Sequence, residues 1–296
     1  QLEIFVEKGE CDLSYSVAGV GRFRGNIYRQ RGNINIAIRY VPIEIPSLEA
    51  LNLPPSIKKI ADNQRGMVLV TGTTGCGKST TLASMIEYIN STRSAHIITL
   101  EDPIEFIHTD NLSIISQREL GIDTTSHTEA LKHIVRQDPN VILIGEMRDT
   151  ETMSAALTAA QTGHLVLSSI HTIDAVQTVT RIVDMFPPHH QNQIRLQLAD
   201  TLKGVVSQRL LPNTKGGRIL ACEILVVTAL VKKFIEQNTM SEIAQTMKQG
   251  SFYGMQVFNQ SLLSLYNSGN ISLEDALNAA TNPEELMMNV RGITND

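Results

Sequence analysis

Apolar and polar residues alternate over residues 12–40, in three segments separated by turns at Gly19–Gly21 and Arg31–Asn33. A period of two is typical of β-strands that bury one face, so this region predicts an antiparallel β-meander. The chain opens on Gln1, and the residues Leu2–Val6 that follow predict the middle of a further strand. We expect an N-terminal piece of the same domain to precede it.

After Arg65 the pattern changes to apolar runs separated by helix-length segments. Such runs predict strands buried on both faces, in a mostly parallel sheet with helices on either side. Ligands of such α/β sheets bind at the carboxyl ends of the strands. The runs are residues 67–70, 96–100, 141–145, 164–170 and 218–227.

Two further boundaries follow from turn and capping residues. Residues 41–47 contain two prolines and predict a linker, after which Ser47 is expected to cap a short helix. From about Thr228 the pattern is helical, with a turn at 267–270 and a capped helix start at Ser272. We therefore expect a small domain over 1–42, a linker over 43–47 and a large domain over 48–296.

A glycine-rich loop follows the first apolar run. Its spacing, Gly72, four residues, then Gly77-Lys78-Ser79, is typical of phosphate-binding loops, although a plain strand-to-helix turn is the alternative. Glycine lets backbone N–H groups approach phosphate, and a helix starting at Lys78 adds its positive end. Lys78 is predicted to neutralise phosphate and Ser79 to hold Mg²⁺. The candidate nucleotide-binding residues are Gly72, Thr73, Thr74, Gly75, Cys76, Gly77, Lys78, Ser79 and Thr80.

Two acidic sites end other predicted strands. Glu101-Asp102-Pro103-Ile104-Glu105 follows the run 96–100, which we expect to neighbour the phosphate loop. Glu105 is predicted either to complete a helix capping box or to act as a general base toward water. Glu146 follows the run 141–145 and predicts a Walker B acid for Mg²⁺; a solvated glutamate is the alternative.

Histidines and arginines supply further candidates. His164 and His171 bracket residues 165–170, and a histidine at a strand end can hydrogen-bond a phosphate, be a satisfied core residue or bind zinc, for which no cysteine or carboxylate completes a spacing here. The segment 22–39 has arginines and no Asp or Glu. These arginines could protect an edge strand, bind nucleic acid or contact a neighbouring subunit's triphosphate, and the sequence does not choose among these roles.

Composition excludes several classes. The net charge of −5 disfavours a general nucleic-acid binder. Three widely spaced cysteines suit reduced thiols better than disulfides or zinc. No apolar stretch approaches the roughly 18 residues of a membrane span.

Four motifs in this order resemble those of the secretion-ATPase superfamily. Residues 72–80, 98–106, 138–149 and 162–172 look like its Walker A, Asp box, Walker B and His box, and Arg22-Phe23-Arg24 resembles its N-terminal arginine segment. The stretches 207–211 and 254–256 are most similar to the type IV pilus retraction ATPases, the PilT and PilU branch.

The resemblance implies an α/β fold with a RecA-like P-loop NTPase core and a smaller PAS-like N-terminal α+β domain, of which residues 1–42 are the remainder. It implies a cytoplasmic six-membered ring at the inner membrane, with nucleotide between the two domains. ATP hydrolysis would drive a pilus platform membrane protein and withdraw pilin, with a paralogous retraction ATPase as a further partner. On the matching positions, Glu105 is the general base, Glu146 the Walker B acid and His171 a γ-phosphate sensor. Contacts to the neighbouring subunit's nucleotide fall to Arg22, Arg24 and Arg39.

Two departures from the family pattern matter. PilT members carry a segment close to AIRNLIRE that is tied to retraction, whereas residues 229–236 read ALVKKFIE. With the tail 271–277, this favours a PilU-like accessory motor. The second departure is Cys76, where the family mostly has serine, and it predicts a loop that thiol reagents attack.

Three other functions compete with retraction. Assembly ATPases of type II secretion or pilus extension are relatives, but usually carry a four-cysteine zinc motif. A RecA-like nucleic-acid translocase would need a basic, aromatic-lined groove. A ring component that binds nucleotide and hydrolyses it poorly is the third, and the intact Lys78, Glu105 and Glu146 argue against it.

Overall fold

The structure, a computed structural model, describes residues 2–17, 20–41 and 44–293, and these fall into two units. The first lies within Gln1–Ile45 and includes Glu105–His108; the second comprises Pro46–Ile104 and the chain from Thr109 onward. The predicted turn residue Gly19 and the Pro42–Ile43 part of the predicted linker lie outside the described residues.

An antiparallel sheet forms most of the first unit, as the alternating pattern predicted. Its strands are β1 (Glu10–Val17), β2 (Gly21–Gln30) and β3 (Asn33–Val41), in the order β1-β2-β3. The register places Ile27 of β2 opposite Ile36 of β3. Residues that lie opposite each other on neighbouring strands share one face of the sheet, and so do residues two apart along a strand, as the alternating apolar pattern requires.

The strand predicted at Leu2–Val6 is wrong, because a helix, α1 (Leu2–Lys8), occupies this position. Phe5 is its buried residue and lies below the Arg29 guanidinium, 5.5 Å from carbon to ring centroid. Gly9, with φ of 80°, then donates its N–H to the Phe5 carbonyl at 2.9 Å and ends the helix. Packing of one aromatic side chain has overridden the β-propensity of Ile4 and Val6.

A larger sheet forms the centre of the second unit. Within the described residues it has seven strands in the order β10-β9-β4-β8-β7-β5-β6. Neighbours from β9 through β6 run parallel, and β10 pairs antiparallel with β9. The strands are β4 (Gly66–Gly72), β5 (His96–Glu101), β6 (Ile114–Glu119), β7 (Val141–Ile144), β8 (Leu165–Ile170), β9 (Leu202–Pro212) and β10 (Arg218–Val226). The predicted α/β class with a mostly parallel sheet is confirmed.

Two details of the predicted sheet are wrong. The apolar runs gave no sign of β6 or β9 as strands, because β6 is an edge strand with polar residues and β9 contains Lys203, Ser207 and Gln208. The strand β5 also does not neighbour the phosphate-loop strand β4, since β8 and β7 lie between them.

Helices cover both faces of this sheet. Side chains of β4 alternate between two apolar clusters: Met67 and Leu69 point to one face, Val68 and Val70 to the other. The first cluster contains residues of the helices from α4 to α9, and the second those of α2 and α3. The helices are α2 (Ser56–Ala61), α3 (Lys78–Thr92), α4 (His127–Ile134), α5 (Thr150–Gln161), α6 (Ala175–Asp184), α7 (Pro188–Thr201), α8 (Ala229–Gln237) and α9 (Met240–Gln249).

The C-terminal helices pack on the antiparallel end of the sheet. They are α10 (Phe258–Asn267), α11 (Leu273–Ala279) and α12 (Pro283–Val290), which bury Phe258 and Leu286 against β9 and β10. Ser272 accepts the Asp275 N–H at 3.0 Å, so the predicted cap is confirmed. Ser47 instead accepts from Ala50 at 3.1 Å in a turn, because no helix begins before Ser56 in the described residues after 44.

Candidate nucleotide-binding site

The glycine-rich loop joins the carboxyl end of β4 to α3. At Gly72, φ is 141°, and an added Cβ would lie 2.5 Å from the Cys76 sulfur and 2.6 Å from the Gln208 carbonyl oxygen. Both the backbone conformation and the crowding therefore require glycine here. Glycine at this position lets the chain leave β4 sharply and turn back into α3.

The start of α3 differs from that of the neighbouring helices. Ser126, Asp149 and Asp174 cap α4, α5 and α6, each by accepting a backbone N–H with its side chain. The N-cap of α3 is Gly77, with φ of 92° and no side chain. The first-turn N–H groups of α3 lack this partner, and an anion is the partner that a helix N-terminus favours. The loop thus fits a phosphate.

Lys78 lies across this loop and is buried. Its ammonium nitrogen donates to the carbonyl oxygens of Gly72 and Thr73, each at 3.0 Å. It also lies 3.4 Å from Nδ1 of His171. A buried cation held by neutral acceptors at a helix start is well placed to bind an anion there.

His171 connects Lys78 to Glu146. Its Nε2 lies 3.0 Å from a carboxylate oxygen of Glu146, while its Nδ1 faces the Lys78 ammonium. An ammonium group only donates, so Nδ1 accepts and the proton lies on Nε2. The geometry therefore corresponds to a neutral imidazole that donates to Glu146, and the ring holds Lys78 and Glu146 in one network.

The Glu146 carboxylate has a second partner, the Arg148 guanidinium, at 2.8 Å. Burial acts to raise the pKa of the Glu146 carboxyl, but the Arg148 hydrogen bond and the neighbouring His171 and Lys78 side chains outweigh it, so the pKa lies below its ordinary value. Glu146 is therefore an anion at neutral pH beside the phosphate loop. The sequence pattern alone did not identify Arg148 as a partner of Glu146. The signal that could have identified it is its position two residues after Glu146, since side chains two apart in extended backbone lie on the same side.

The remaining loop residues divide by exposure. Thr73, Thr74 and Gly75 are exposed, whereas Ser79 and Thr80 are half-buried in the first turn of α3. Among the described residues, no cluster of three or more His, Cys, Asp or Glu side chains is arranged to hold a metal ion. Mg²⁺ commonly binds to one or two protein oxygens and to substrate phosphates. The Ser79 hydroxyl and the Glu146 carboxylate fit that pattern.

The strand β9 supports the loop from its other side. Gln208 donates from Nε2 to the Thr81 hydroxyl at 2.7 Å, and Thr71 donates to the Ser207 hydroxyl at 2.9 Å. Both contacts are buried and flank the loop at its two ends. Residues 207–211 resemble the family in sequence, and the structure shows that Ser207 and Gln208 brace the phosphate loop.

Cys76 is buried, with 3% of its surface exposed. Burial raises the pKa of its thiol, although the Lys78 charge and backbone N–H groups act in the opposite direction. The thiolate is the reactive form, so a buried thiol of raised pKa reacts slowly. The expectation that Cys76 makes this loop a target of thiol reagents is therefore wrong, because a small side chain at this position packs inward beneath Gly72.

We predict that N-ethylmaleimide modifies Cys76 in the folded protein more slowly than in the unfolded chain, because the side chain is buried and its raised pKa lowers the fraction of thiolate. Mass spectrometry of the Cys76 peptide after timed alkylation measures both rates. Labelling of Cys76 in the folded protein at the rate of a free cysteine would contradict the burial.

Glu105 lies in the first unit. Residues 102–113, all of them described, contain no helix, so the capping-box interpretation of Glu105 is wrong. Instead, the Arg24 guanidinium donates to its carboxylate at 3.4 Å. The contact joins Glu105 to a strand of the first unit that is 81 residues away in the sequence. A cap would have required local helix formation, and a long-range ion pair has taken its place.

The other candidates lie as follows. Arg39 is exposed on β3, directly opposite Arg24 in the strand register. Arg22 is in β2, and its side chain lies outside the described part of the structure. His164 precedes β8, at the end of the strand opposite to His171, and its Nδ1 lies 2.9 Å from the Ala159 carbonyl oxygen. His164 is thus a locally satisfied residue away from the phosphate loop.

Comparison with known proteins agrees with this geometry. The family model described as type II/IV secretion system protein matches residues 38–216, which contain the phosphate loop, both acidic sites and His171. The chain is 46% identical to a twitching motility protein of Neisseria gonorrhoeae over 97% of its own length and 77% of that protein. It is 42% identical to the type IV pilus ATPase PilU of Pseudomonas aeruginosa, over 97% of the chain and 75% of that protein.

A solved structure gives the same picture in three dimensions. The crystal structure of the pilus retraction motor PilT with bound ADP superimposes with a TM-score of 0.92 at 47% identity. The match covers 97% of this chain and 82% of that one.

Proposed function

The chain belongs to the type II/IV secretion system ATPase family, and from this premise we propose that it is an ATP-hydrolysing motor that powers type IV pilus retraction. The observation that carries the proposal is the network of Lys78, His171 and Glu146 beside the uncapped start of α3. These groups bind a triphosphate and respond to its terminal phosphate. Likeness to a retraction motor and to a twitching motility protein then selects retraction among the motors of the family.

Each residue has a distinct role in this proposal. Backbone N–H groups of residues 72–80 and the Lys78 ammonium bind the phosphates, and Ser79 and Glu146 hold Mg²⁺. The bound metal ion neutralises charge on the phosphate oxygens. His171 orients its Nε2–H toward Glu146, so that a change at the terminal phosphate is transmitted from Lys78 to Glu146 through one imidazole ring.

Glu105 is proposed as the general base that accepts the proton of the attacking water. Arg22, Arg24 and Arg39 are proposed to contact the triphosphate of a neighbouring subunit, where a guanidinium stabilises transition-state charge. The ion pair between Arg24 and Glu105 would then exchange for such a contact during turnover.

The assembly proposed for this motor is a homohexamer at the inner membrane, acting on the pilus platform protein, without nucleic acid. Of the helices in the described residues, none combines the length and the apolar character needed to cross a bilayer. Attachment to the membrane is therefore proposed to occur through the pilus machine. The remainder of a PAS-like domain over residues 1–42, a linker over 43–47 and a RecA-like domain over 48–296 complete the proposed organisation.

An accessory role beside a second retraction ATPase is the finer proposal. It is supported by residues 229–236, which lie within α8 and keep little of the AIRNLIRE pattern. Likeness to PilU at 42% and to PilT at 47% identity favours neither role over the other.

Gene deletion followed by complementation tests the function in the cell. If the motor retracts pili, cells without it keep surface pili and lose twitching movement, and the intact gene restores movement. Pili are counted by electron microscopy and movement is measured at an agar surface. Loss of the pili would instead indicate an assembly motor. Unchanged pili and movement would fit an accessory role only if a further deletion of the paralogue reveals a defect in movement.

A further inference from the structure

A buried carboxylate, Glu223, lies outside the network of Lys78, His171 and Glu146 and has no part in the function proposed so far. It stands on β10, opposite Ser207 of β9. Its Oε1 accepts the backbone N–H of Ala175, the first residue of α6, at 2.8 Å. His171 lies four residues before Ala175, and its loop ends at Asp174, so Glu223 fixes the far end of the His171 loop.

The backbone N–H of Phe258, the first residue of α10, also acts to lower the pKa of this carboxyl. Two helix N-termini therefore favour the charged form of one buried acid, and the start of α6 is hydrogen-bonded to it. One helix follows His171, and the other begins the C-terminal helices α10 to α12. Glu223 is thus the point where these two parts of the second unit meet.

Arg209 on β9 extends the connection. Its guanidinium lies over the Phe258 ring, 3.7 Å from carbon to centroid. It donates to the Ala279 carbonyl oxygen and, at 3.1 Å, to the Thr281 hydroxyl, both at the end of α11. The positive charge of Arg209 acts to lower the pKa of Glu223. Arg209 thus connects the start of α10 with the end of α11 on the side of the sheet where Glu223 lies.

Side-chain contacts join the His171 loop to α6. Thr172 contacts the Thr178 hydroxyl at 2.6 Å, and Asp174 accepts the Gln177 N–H at 2.7 Å, and both partners belong to α6 itself. The apolar side of α6 packs in the core cluster on the sheet, and the Glu223 contact adds a hydrogen bond from β10 at the end of α6 that the loop enters.

We propose that Glu223 is a positioning residue, which holds α6 and the C-terminal helices together so that His171 stays between Lys78 and Glu146. The proposal deepens the proposed ATPase function and rests on it. Glu223 acts through the His171 loop. Movement of the C-terminal helices would thereby change His171, and a change at His171 would reach the C-terminal helices.

The charge of Glu223 gives the arrangement a dependence on pH. Burial raises the pKa of Glu223 to about 7; the Asp174 carboxylate acts in the same direction, and the Ala175 and Phe258 N–H groups and Arg209 act against it. These are the charged and donor groups that face it from α6, α10 and β9. Because the folded chain holds this proton above the ordinary glutamate pKa of about 4.3, folding stability falls as the pH rises from there to about 7.

Three substitutions test the proposal. Glu223→Asp withdraws the carboxylate by one methylene, Glu223→Ala removes it, and Glu223→Gln keeps the accepting oxygen without the charge. Displacement of a catalytic group by about 1 Å costs up to about a hundredfold, so we expect kcat for ATP to fall about ten- to hundredfold in the Asp and Ala variants. KM is expected to stay within about twofold, because the phosphate loop is untouched, and Gln is expected to restore kcat to within about threefold.

A matched control is Ser272→Ala, which also removes an acceptor from a helix start, that of α11, without contact to α6. It is expected to lower the melting temperature and leave kcat unchanged. The Gln variant adds a pH test: its melting temperature should exceed that of the parent by a margin that widens from about pH 4.3 to about pH 7, where the folded parent keeps the Glu223 proton and the unfolded parent has lost it.

Hydrogen exchange of the peptide covering residues 171–178 gives a readout that needs no turnover. Faster exchange there in Glu223→Asp than in Ser272→Ala supports the proposal, and equal exchange overturns it. If the Ala variant does not fold, the Asp variant decides. A parent without ATP turnover would refute the proposed function, and hydrogen exchange alone would then decide the role of Glu223. If the parent is active, a folded Asp variant with equal activity refutes only the positioning role.

Discussion

Replacing Lys78 with alanine is expected to lower kcat/KM for ATP by about 10³-fold, because removal of one well-placed donor to a developing charge already costs about 10²- to 10³-fold. Lys78 supplies a full charge in a buried position, where its ammonium contacts Gly72, Thr73 and His171. Alanine leaves His171 Nδ1 without its donor and removes the cation from the loop. Steady-state phosphate release and ADP affinity by calorimetry measure the two effects.

Lys215→Ala is the matched control for this experiment. Lys215 is an exposed lysine that donates to the Asn270 side chain at 3.2 Å, in the turn region of the C-terminal helices. Its removal changes the net charge by the same amount and is expected to leave turnover unchanged. An Lys78→Ala variant with turnover and ADP affinity within about threefold of the parent would overturn the assignment of the phosphate site.

The phosphate loop and the strands around it could be predicted from the sequence because their signals are local. Gly72, Gly77, Lys78 and Ser79 lie within eight consecutive residues. The strands β4 and β7 are short apolar runs, the first followed by this loop and the second by Glu146. In a parallel sheet all carboxyl ends lie at one edge, so Lys78, Glu146 and His171 were expected to meet there. The distances that join them are consistent with that expectation.

The surroundings of Glu105 could not be predicted in the same way. The residues Asp102, Pro103 and Glu105 match a helix start locally, and no helix forms. What decides the structure of this segment is a set of contacts from distant parts of the chain: Arg24 pairs with Glu105, and Glu119 of β6 accepts the Ile104 N–H at 3.1 Å. Because the sequence pattern did not predict β6 as a strand, it also did not predict that Glu119 would be the partner of Ile104.

The behaviour of two buried side chains, Cys76 and Glu223, could not be predicted from the sequence. Cys76 and Glu223 are side chains of ordinary types whose behaviour depends on the neighbours that fold around them, namely Gly72 and Gln208 for the thiol and the starts of α6 and α10 for the acid. A sequence pattern specifies which face of a strand is buried, but not which helix N-terminus will lie over one residue of it. The pairing of β9 with β4 and β10 supplies that information.

The Glu105→Gln substitution is expected to lower kcat for ATP hydrolysis by about 10²- to 10⁴-fold, the range of general base catalysis, with ATP affinity within about twofold of the parent. The amide has the shape of the carboxylate but cannot accept a proton at neutral pH. Rapid-quench measurement of a single turnover, together with equilibrium binding of ATP, separates the chemical step from binding.

Loss of the ion pair cannot by itself produce such an effect. The side chains of Arg24 and Glu105 are 31% and 44% exposed, and a pair of this kind contributes at most about 1 kcal/mol, which corresponds to about fivefold in a rate. Glu129→Gln is the matched control, because it also breaks an exposed ion pair, with Lys132 at 2.6 Å, and is expected to leave kcat unchanged. A fall of fivefold or less in Glu105→Gln would mean that Glu105 only anchors Arg24, and the proton acceptor would then have to be sought at Glu146, the anionic carboxylate that the structure places beside Lys78 and His171.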